Sequence, residues 1–138
     1  MNADPVEHEL AGRRAVVAGH ANFASGLVSA VQQIAGMGSS LVPVTSIGLA
    51  GVDIASMLEE ALDTLGTSVI FTDLPAGSCT IAARRLQRIR PELVLVTGVN
   101  LATVLEYVFR AASETPLEAA TAAAEKGRAT LLVHRGNA

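Results

Sequence analysis

Three residues whose side chains can do chemistry lie close after short apolar runs of the sequence: His20, Asp73 and Asn100. A neutral imidazole can act as a nucleophile, a general base or a metal ligand near neutral pH. If Asp73 accepts a hydrogen bond from one ring nitrogen of His20, that bond fixes the tautomer and leaves the other nitrogen free to attack. The pattern therefore favours chemistry centred on His20, with Asp73 as the residue that orients it.

A short segment after Asp73 has the residue types that suit an anion. Ala76, Gly77 and Ser78 lead into a predicted helix, and the N–H groups and positive dipole end of a helix start attract phosphate. A phosphoryl group on His20 could be held there by backbone N–H groups and the Ser78 hydroxyl. Simpler roles stay open, because His20 could be a hydrogen-bonded structural residue and Ser78 only a helix cap.

The chain must bring these residues together through alternating strands and helices. Apolar, largely β-branched runs predict strands, and segments with an apolar residue every three or four positions predict helices. The predicted strands are 15–18, 41–44, 68–72, 93–96 and 130–133, and the predicted helices are 24–35, 53–65, 78–88, 102–111 and 116–127. This alternation indicates an α/β fold: a single-domain, open, mostly parallel, doubly wound sheet with helices on both faces. Ligands of such sheets bind beyond the carboxyl ends of the strands, so the three residues should share one rim.

Local signals refine this outline. Pro43 suits an edge strand better than a central one, because proline lacks the N–H that a second neighbour would need. The run 93–96 is apolar throughout, which is typical of a parallel strand buried on both faces. Asp53 is the expected N-cap of the second helix. Thr115 and Glu118 form a capping box at the start of the last helix.

Length and composition exclude several classes of protein. With 138 residues the chain has room for one domain, and we divide it into an N-terminal tail, 1–13, and a domain, 14–138. Half of the residues are hydrophobic and 17% are charged, which excludes a disordered chain. A net charge of −3 argues against nucleic-acid binding. Cys79 is the only cysteine, and neither a signal peptide nor an apolar run of roughly 20 residues occurs, so we expect a cytoplasmic protein.

Other chemistries fit the residues less well. A receiver domain needs an acidic pair after its first strand, and a dinucleotide-binding domain needs a Gly-x-Gly-x-x-Gly turn; neither is present. Cys79 and Arg85 have the spacing of tyrosine phosphatases, but the residues between them lack glycine and favour a helix. His8 and His134 are expected to be solvated bystanders, and no pair of histidines has the spacing of metal ligands.

Three segments at the predicted strand ends resemble one known family. Residues 17–27, VAGHANFASGL, are similar to the phosphorylation-site segment of mannose-type IIA phosphocarriers of the bacterial sugar phosphotransferase system. Residues 71–78, FTDLPAGS, resemble the family's segment after its third strand, and residues 97–101, TGVNL, match the ending of its fourth. The resemblance extends from about Arg14 to the C-terminus, with the three segments in the family's order.

The resemblance implies a phosphotransferase that works through a phosphohistidine and needs no cofactor or metal. His20 would accept a phosphoryl group from the phosphocarrier protein HPr and pass it to a cysteine or histidine of a IIB component, for sugar uptake. Asp73 would orient His20, Ser78 with Ala76 and Gly77 would hold the phosphate, and Phe23 and Asn100 would support the site. The family also implies a homodimer in which the last strand crosses to the neighbouring subunit, and an indirect association with the membrane through transporter components.

The chain departs from the family at four positions near the site. Ala21 stands where glycine usually follows the histidine, Ala76 replaces a further glycine, and Cys79 and Ile81 replace proline and asparagine. A second hypothesis is therefore a degenerate IIA-like module that binds a partner or regulates without catalysis. A third is an α/β domain that binds a small molecule at the same rim. The segment around His20 leans towards the amino-sugar branch, such as N-acetylgalactosamine carriers.

Overall fold

The computed structural model describes residues 14–137, so the predicted N-terminal tail, 1–13, lies outside the described residues. Strands β1–β4 are Ala15–Gly19, Leu41–Thr45, Val69–Thr72 and Val94–Val96. Helices α1–α5 are Phe23–Ala35, Gly51–Leu65, Ser78–Gln87, Leu101–Arg110 and Pro116–Ala129, and a 3-10 turn covers Gly38–Ser40. Strands and helices thus alternate along most of the chain, as the sequence predicts.

The four strands form one parallel sheet in the order β2-β1-β3-β4. One face packs against α1, α4 and α5, where buried residues such as Val31 and Tyr107 meet Phe71 of β3. The other face packs against α2 and α3, where Leu58 and Leu86 are buried. Burial of apolar side chains on both faces stabilises the sheet, and every residue of β1 and β3 is buried. The predicted doubly wound α/β fold is confirmed.

The helix boundaries follow from local signals in the sequence. Gly36 and Gly66 end α1 and α2 with φ values of 67° and 66°, a left-handed conformation that glycine adopts without a Cβ penalty. The predicted cap of α5 is confirmed, because Thr115 Oγ1 accepts a hydrogen bond of 3.2 Å from the Glu118 N–H. Pro116 follows as the first helical residue.

Strands β2 and β4 form the two edges of the described sheet. The placement of Pro43 in an edge strand is confirmed, since β2 pairs only with β1. The expectation for 93–96 holds in part: the strand is parallel and packs against both cores with Leu93 buried, but β4 pairs only with β3 and its three residues are half-buried. An apolar strand without a second neighbour keeps one side open, and its composition alone does not reveal this.

Two predicted helix boundaries and one predicted strand also need correction. Helix α2 begins at Gly51 with Ala50 as its N-cap, so Asp53 lies in the first turn, where its charge still favours the helix dipole. Helix α5 continues through Gly127 to Ala129, and Gly127 is needed there because a side chain would collide with Thr103 of α4. The strand expected at 130–133 is absent: residues 131–137 form neither helix nor strand, because they have no neighbouring strand to pair with in this chain.

Candidate functional site

His20 and Asp73 meet at the carboxyl ends of β1 and β3. These strands are neighbours, with Ala18 paired to Thr72, so the residues that follow them emerge side by side. The imidazole Nδ1 lies 2.8 Å from Asp73 Oδ2, and the backbone N–H of His20 donates to the same oxygen at 2.8 Å. The His20 side chain is 51% exposed and that of Asp73 only 9%. A sheltered carboxylate thus holds a ring that solvent and partners can reach.

The charge of Asp73 decides how the ring is protonated. Burial would raise the pKa of Asp73, but the hydrogen bonds from the backbone and ring of His20 outweigh it and hold that pKa below its ordinary value. The carboxyl group is therefore ionised near neutral pH and can only accept hydrogen bonds. In a neutral His20 the proton consequently lies on Nδ1, and Nε2 keeps the lone pair of a nucleophile or base.

Glycine at position 19 makes this contact possible. A Cβ there would lie 2.9 Å from Asp73 Oδ2 and 2.8 Å from Cδ1 of Phe23, too close for either group to stay in place. Phe23 also donates its backbone N–H to the His20 carbonyl at 3.0 Å and packs against the core. The Phe23 ring thus lies against Gly19, and its backbone is hydrogen-bonded to His20.

The start of α3 lies directly beside the imidazole. A Cβ on Gly77, the N-cap of α3, would be 3.0 Å from His20 Cε1. No side chain caps this helix start, and the first-turn N–H groups, beginning at Ser78, have no acceptor within the helix. Ala76 is exposed in the preceding turn. The structure therefore brings His20, Asp73, Gly77 and Ser78 to one point of the rim, where N–H groups and a hydroxyl could hold an anion.

The family model described as "PTS system fructose IIA component", EIIA-man, matches residues 14–125, most of the chain. The chain belongs to this family. No curated protein matches the sequence significantly. As a member of the family, the chain is a IIA-type component of a sugar phosphotransferase system, and phosphotransferase activity is general to such components.

Solved structures of IIA components share the fold. The chain is 21% identical to an EIIA component from Streptococcus agalactiae, with a TM-score of 0.70 over 83% of this chain and 93% of that one. It is 23% identical to a IIA protein associated with the fucose utilization operon of Streptococcus pneumoniae, with a TM-score of 0.73 over 87% and 91% of the two chains. A mannose/sorbose-specific IIA subunit from Enterococcus faecalis is 21% identical, with a TM-score of 0.67 over 91% and 96%.

In this IIA component Asn100 makes contacts away from His20. Its Oδ1 caps α4 by accepting from the Thr103 N–H at 3.0 Å and from the Thr103 hydroxyl at 2.7 Å. Its Nδ2 donates to the Gly127 carbonyl of α5 at 3.0 Å. Asn100 thus joins two helices, and none of these hydrogen bonds reaches His20 or Asp73.

Two buried residues at the start of α3, Cys79 and Thr80, lie close to the segment that carries Asp73. The Thr80 hydroxyl is 2.7 Å from Thr72 Oγ1 and also donates to the Leu74 carbonyl. The Cys79 thiol is fully buried, and burial together with the Asp73 carboxylate raises its pKa. The sequence marks Cys79 as a departure from the family, but it gives no signal for Thr80 beyond its place two residues after Ser78.

The other residues that the sequence offered for chemistry add no second site to the described part of the chain. The segment from Cys79 to Arg85 is helical in the IIA component, so it cannot wrap an anion as a phosphatase loop does. His134 is exposed in the segment after α5, and His8 lies outside the described residues. Within residues 14–137 no three metal-ligating side chains gather, and no helix there is long and apolar enough to cross a membrane.

Proposed function

We propose that this IIA component is a histidine phosphocarrier. His20 accepts a phosphoryl group from phospho-HPr and passes it to a cysteine or histidine of a IIB component, which then phosphorylates incoming sugar. The observation that carries the proposal is the 2.8 Å contact between His20 Nδ1 and Asp73 Oδ2, made by a ring that is half exposed beside a helix start. A histidine kept only for structure would not need a half-exposed ring.

The transfer needs no group beyond this chain and its partners. The Nε2 lone pair of His20 attacks phosphorus, the bond between phosphorus and the donor breaks, and its electron pair leaves with the donor. The ring keeps its Nδ1 proton and becomes positive, and the adjacent Asp73 carboxylate stabilises that charge. Transfer to the IIB component returns the N–P electron pair to Nε2. Positioning and charge stabilisation are sufficient for such in-line displacement.

The start of α3 is the proposed place for the phosphoryl oxygens. Gly77 and Ser78 offer backbone N–H groups and a hydroxyl beside the ring, with Ala76 in the turn before them. Phe23 and Asn100 support the site indirectly, the first by packing against Gly19 and the second by capping α4.

A substitution can test whether phosphoryl acceptance needs the free space beside Gly77. In Gly77→Ala the new methyl group meets His20 Cε1, while the φ of −76° accommodates alanine without strain. We expect phosphoryl acceptance to fall at least about tenfold, equivalent to about 1.4 kcal/mol of barrier, with the fold retained. Gly26→Ala, at an open position of α1, is the matched control and should transfer normally. Equal rates in the two variants would show that nothing needs the space beside Gly77.

We also propose that the carrier works as a homodimer. Leu131, Leu132 and Val133 are 84%, 65% and 99% exposed in the single chain. Strand β4 is an edge strand with a cavity beside it, lined in part by Val94, Leu117 and Ala120. A homodimer in which 130–133 pairs with β4 of the other subunit would cover both surfaces. The carrier would act in the cytoplasm and reach the membrane only through transporter components.

The decisive experiment is intact-protein mass spectrometry after incubation with phosphoenolpyruvate, enzyme I and HPr. We expect the wild type to gain one acid-labile phosphoryl group, His20→Ala to gain none, and His134→Ala to behave as the wild type. Asp73→Asn should accept the group at least about tenfold more slowly, because a charged hydrogen bond to the ring is lost. If HPr is phosphorylated and the wild type gains nothing, the chain is instead a partner-binding module. A phosphoryl group retained in His20→Ala would place the site elsewhere.

A further inference from the structure

Thr80 is a buried polar residue for which the proposed mechanism has no role. It is the third residue of α3, and only 3% of it is exposed. Its hydroxyl contacts Thr72 Oγ1 at 2.7 Å and the Leu74 carbonyl, the residues immediately before and after Asp73. A single side chain from α3 thus binds both neighbours of the carboxylate that orients His20.

Asp73 needs positioning from outside its own side chain. Oδ2 accepts both hydrogen bonds from His20, whereas Oδ1 is buried and, within the described residues, has no hydrogen-bond partner. A carboxylate held through one oxygen can turn about that contact. Its direction must therefore come from the backbone that carries it, the end of β3 and the turn that follows.

The hydroxyl hydrogen bonds supply that backbone restraint. A threonine hydroxyl has one proton, so Thr80 donates to the Leu74 carbonyl while the Thr72 hydroxyl donates to Thr80 Oγ1. The Thr72 carbonyl in turn accepts the Val99 N–H at 3.1 Å, which links the same strand end to the loop before α4. Buried hydrogen bonds of this kind are strong and costly to break, so they fix local geometry.

We propose that Thr80 is a positioning residue: through Thr72 and Leu74 it holds Asp73 at the distance that keeps the His20 proton on Nδ1 and the Nε2 lone pair free. The inference rests on the proposed phosphocarrier function, but its first readout does not require phosphoryl transfer. The hydrogen bonds of the Thr80 hydroxyl go to Thr72 and Leu74 and not to the His20 ring.

The test measures the His20 tautomer in the full chain by two-bond 1H–15N spectra of the imidazole, assigned with His20→Ala. We expect the wild type to show a protonated Nδ1, and Thr80→Val to show a mixture of both tautomers. The rate of phosphoryl acceptance from phospho-HPr should fall about tenfold in Thr80→Val, equivalent to one lost buried hydrogen bond. Thr80→Ser keeps the hydroxyl and should restore the tautomer and most of the rate.

Controls separate positioning from a general loss of stability. Thr67→Val removes a hydroxyl that donates to the Arg14 carbonyl at 2.6 Å, at the opposite end of the strands, and should leave the His20 spectra unchanged. If valine prevents folding, Thr80→Ala replaces it, and the comparison with serine stands. An unchanged tautomer in folded Thr80→Val or Thr80→Ala would overturn the proposal. A wild type that gains no phosphoryl group would instead contradict the phosphocarrier function, while the spectra would still decide the role of Thr80.

Discussion

A carboxylate that is sheltered and yet ionised makes stability depend on pH in a definite direction. Hydrogen bonds from His20 hold the pKa of Asp73 below the 3.8 of an unfolded chain. A group with a lowered pKa in the folded state contributes stability above its unfolded pKa and loses it as pH falls through the folded value. The contribution of Asp73 should therefore be complete at pH 5 and above, and diminish below about pH 3.8.

Denaturant unfolding at several pH values checks this. The difference in unfolding free energy between the wild type and Asp73→Asn should shrink as pH falls from about 5 towards 3. Gln33→Ala, an exposed substitution without charge, should differ from the wild type by the same amount at each pH. A wild-type advantage that grew between pH 5 and pH 3 would contradict the assigned direction of the pKa shift.

Ala21 carries backbone strain directly beside His20. Its φ of 45° is left-handed, a conformation that costs an L-residue with a Cβ roughly 1–2 kcal/mol. Its carbonyl accepts a hydrogen bond from the Thr45 hydroxyl at 3.0 Å, which helps to hold the turn in place. Glycine would remove the strain but would also enlarge the freedom of the unfolded chain.

The net effect of Ala21→Gly should be an increase in unfolding free energy of about 0.5–1 kcal/mol, measured by chemical denaturation. Ala30→Gly, inside α1, is the comparison, and it should lose about 1 kcal/mol because glycine is a poor helix former. If both variants lose stability equally, the turn at Ala21 is not strained.

At the residue scale the sequence predicted the position of His20 and Asp73 because parallel strands bring their carboxyl ends to one edge. It could not predict that the carboxylate accepts hydrogen bonds from both the ring and the backbone N–H of His20. This double contact depends on the absence of a side chain at Gly19. Thr80 was missed for a related reason. Its hydroxyl matters only through contacts with Thr72 and Leu74, and these depend on how α3 lies against β3.

At the scale of elements, Asn100 shows that a polar residue near the rim of the sheet can hold two helices together. It caps α4 and binds the Gly127 carbonyl of α5, where the two helices approach so closely that position 127 has no room for a side chain. Asn100→Ala should lower the unfolding free energy by about 1–3 kcal/mol, since it leaves partly buried groups unpaired. Thermal or chemical unfolding measures this loss.

The same variant also separates structural support from direct participation. When folded, Asn100→Ala should accept phosphoryl groups at a rate much closer to the wild type than Asp73→Asn does. Asn100→Asp keeps the cap acceptor and should recover part of the stability, although it cannot donate to Gly127. A transfer defect as large as that of Asp73→Asn, without loss of stability, would instead place Asn100 at the phosphoryl group.

Helices were predicted more securely than strands, for a physical reason. A helix satisfies its backbone within one segment, so periodicity and caps such as Gly36 and Thr115 largely define it. A strand exists only through its neighbours, and neither the edge position of β4 nor the unpaired state of 130–133 can be read from a short apolar run. The sequence shows that these residues are largely apolar, but it does not show which surface covers them.

At the scale of the whole molecule, the single chain leaves the apolar segment after α5 exposed. The sheet also has an open edge at β4. Three adjacent large apolar residues, Leu131 to Val133, are mostly exposed, and within the described sheet β4 pairs on one side only. Such an edge is a template for pairing with another chain. Pairing between two copies would bury the apolar residues and satisfy the edge in both subunits at once.

Light scattering after gel filtration should therefore show a dimer for the wild type. Leu131→Asp combined with Val133→Asp should shift the chain to the monomer, because charges cannot be buried at the shared edge without a partner. Ile89→Asp places a charge at another exposed apolar position, 71% exposed at the end of the α3 region, and should leave the dimer intact. A wild type that is monomeric at every concentration would exclude the exchange, and a dimer that survives the double substitution would assign its interface elsewhere. Since His20 and Asp73 both belong to one chain, the monomeric variant should still accept a phosphoryl group, which separates assembly from chemistry.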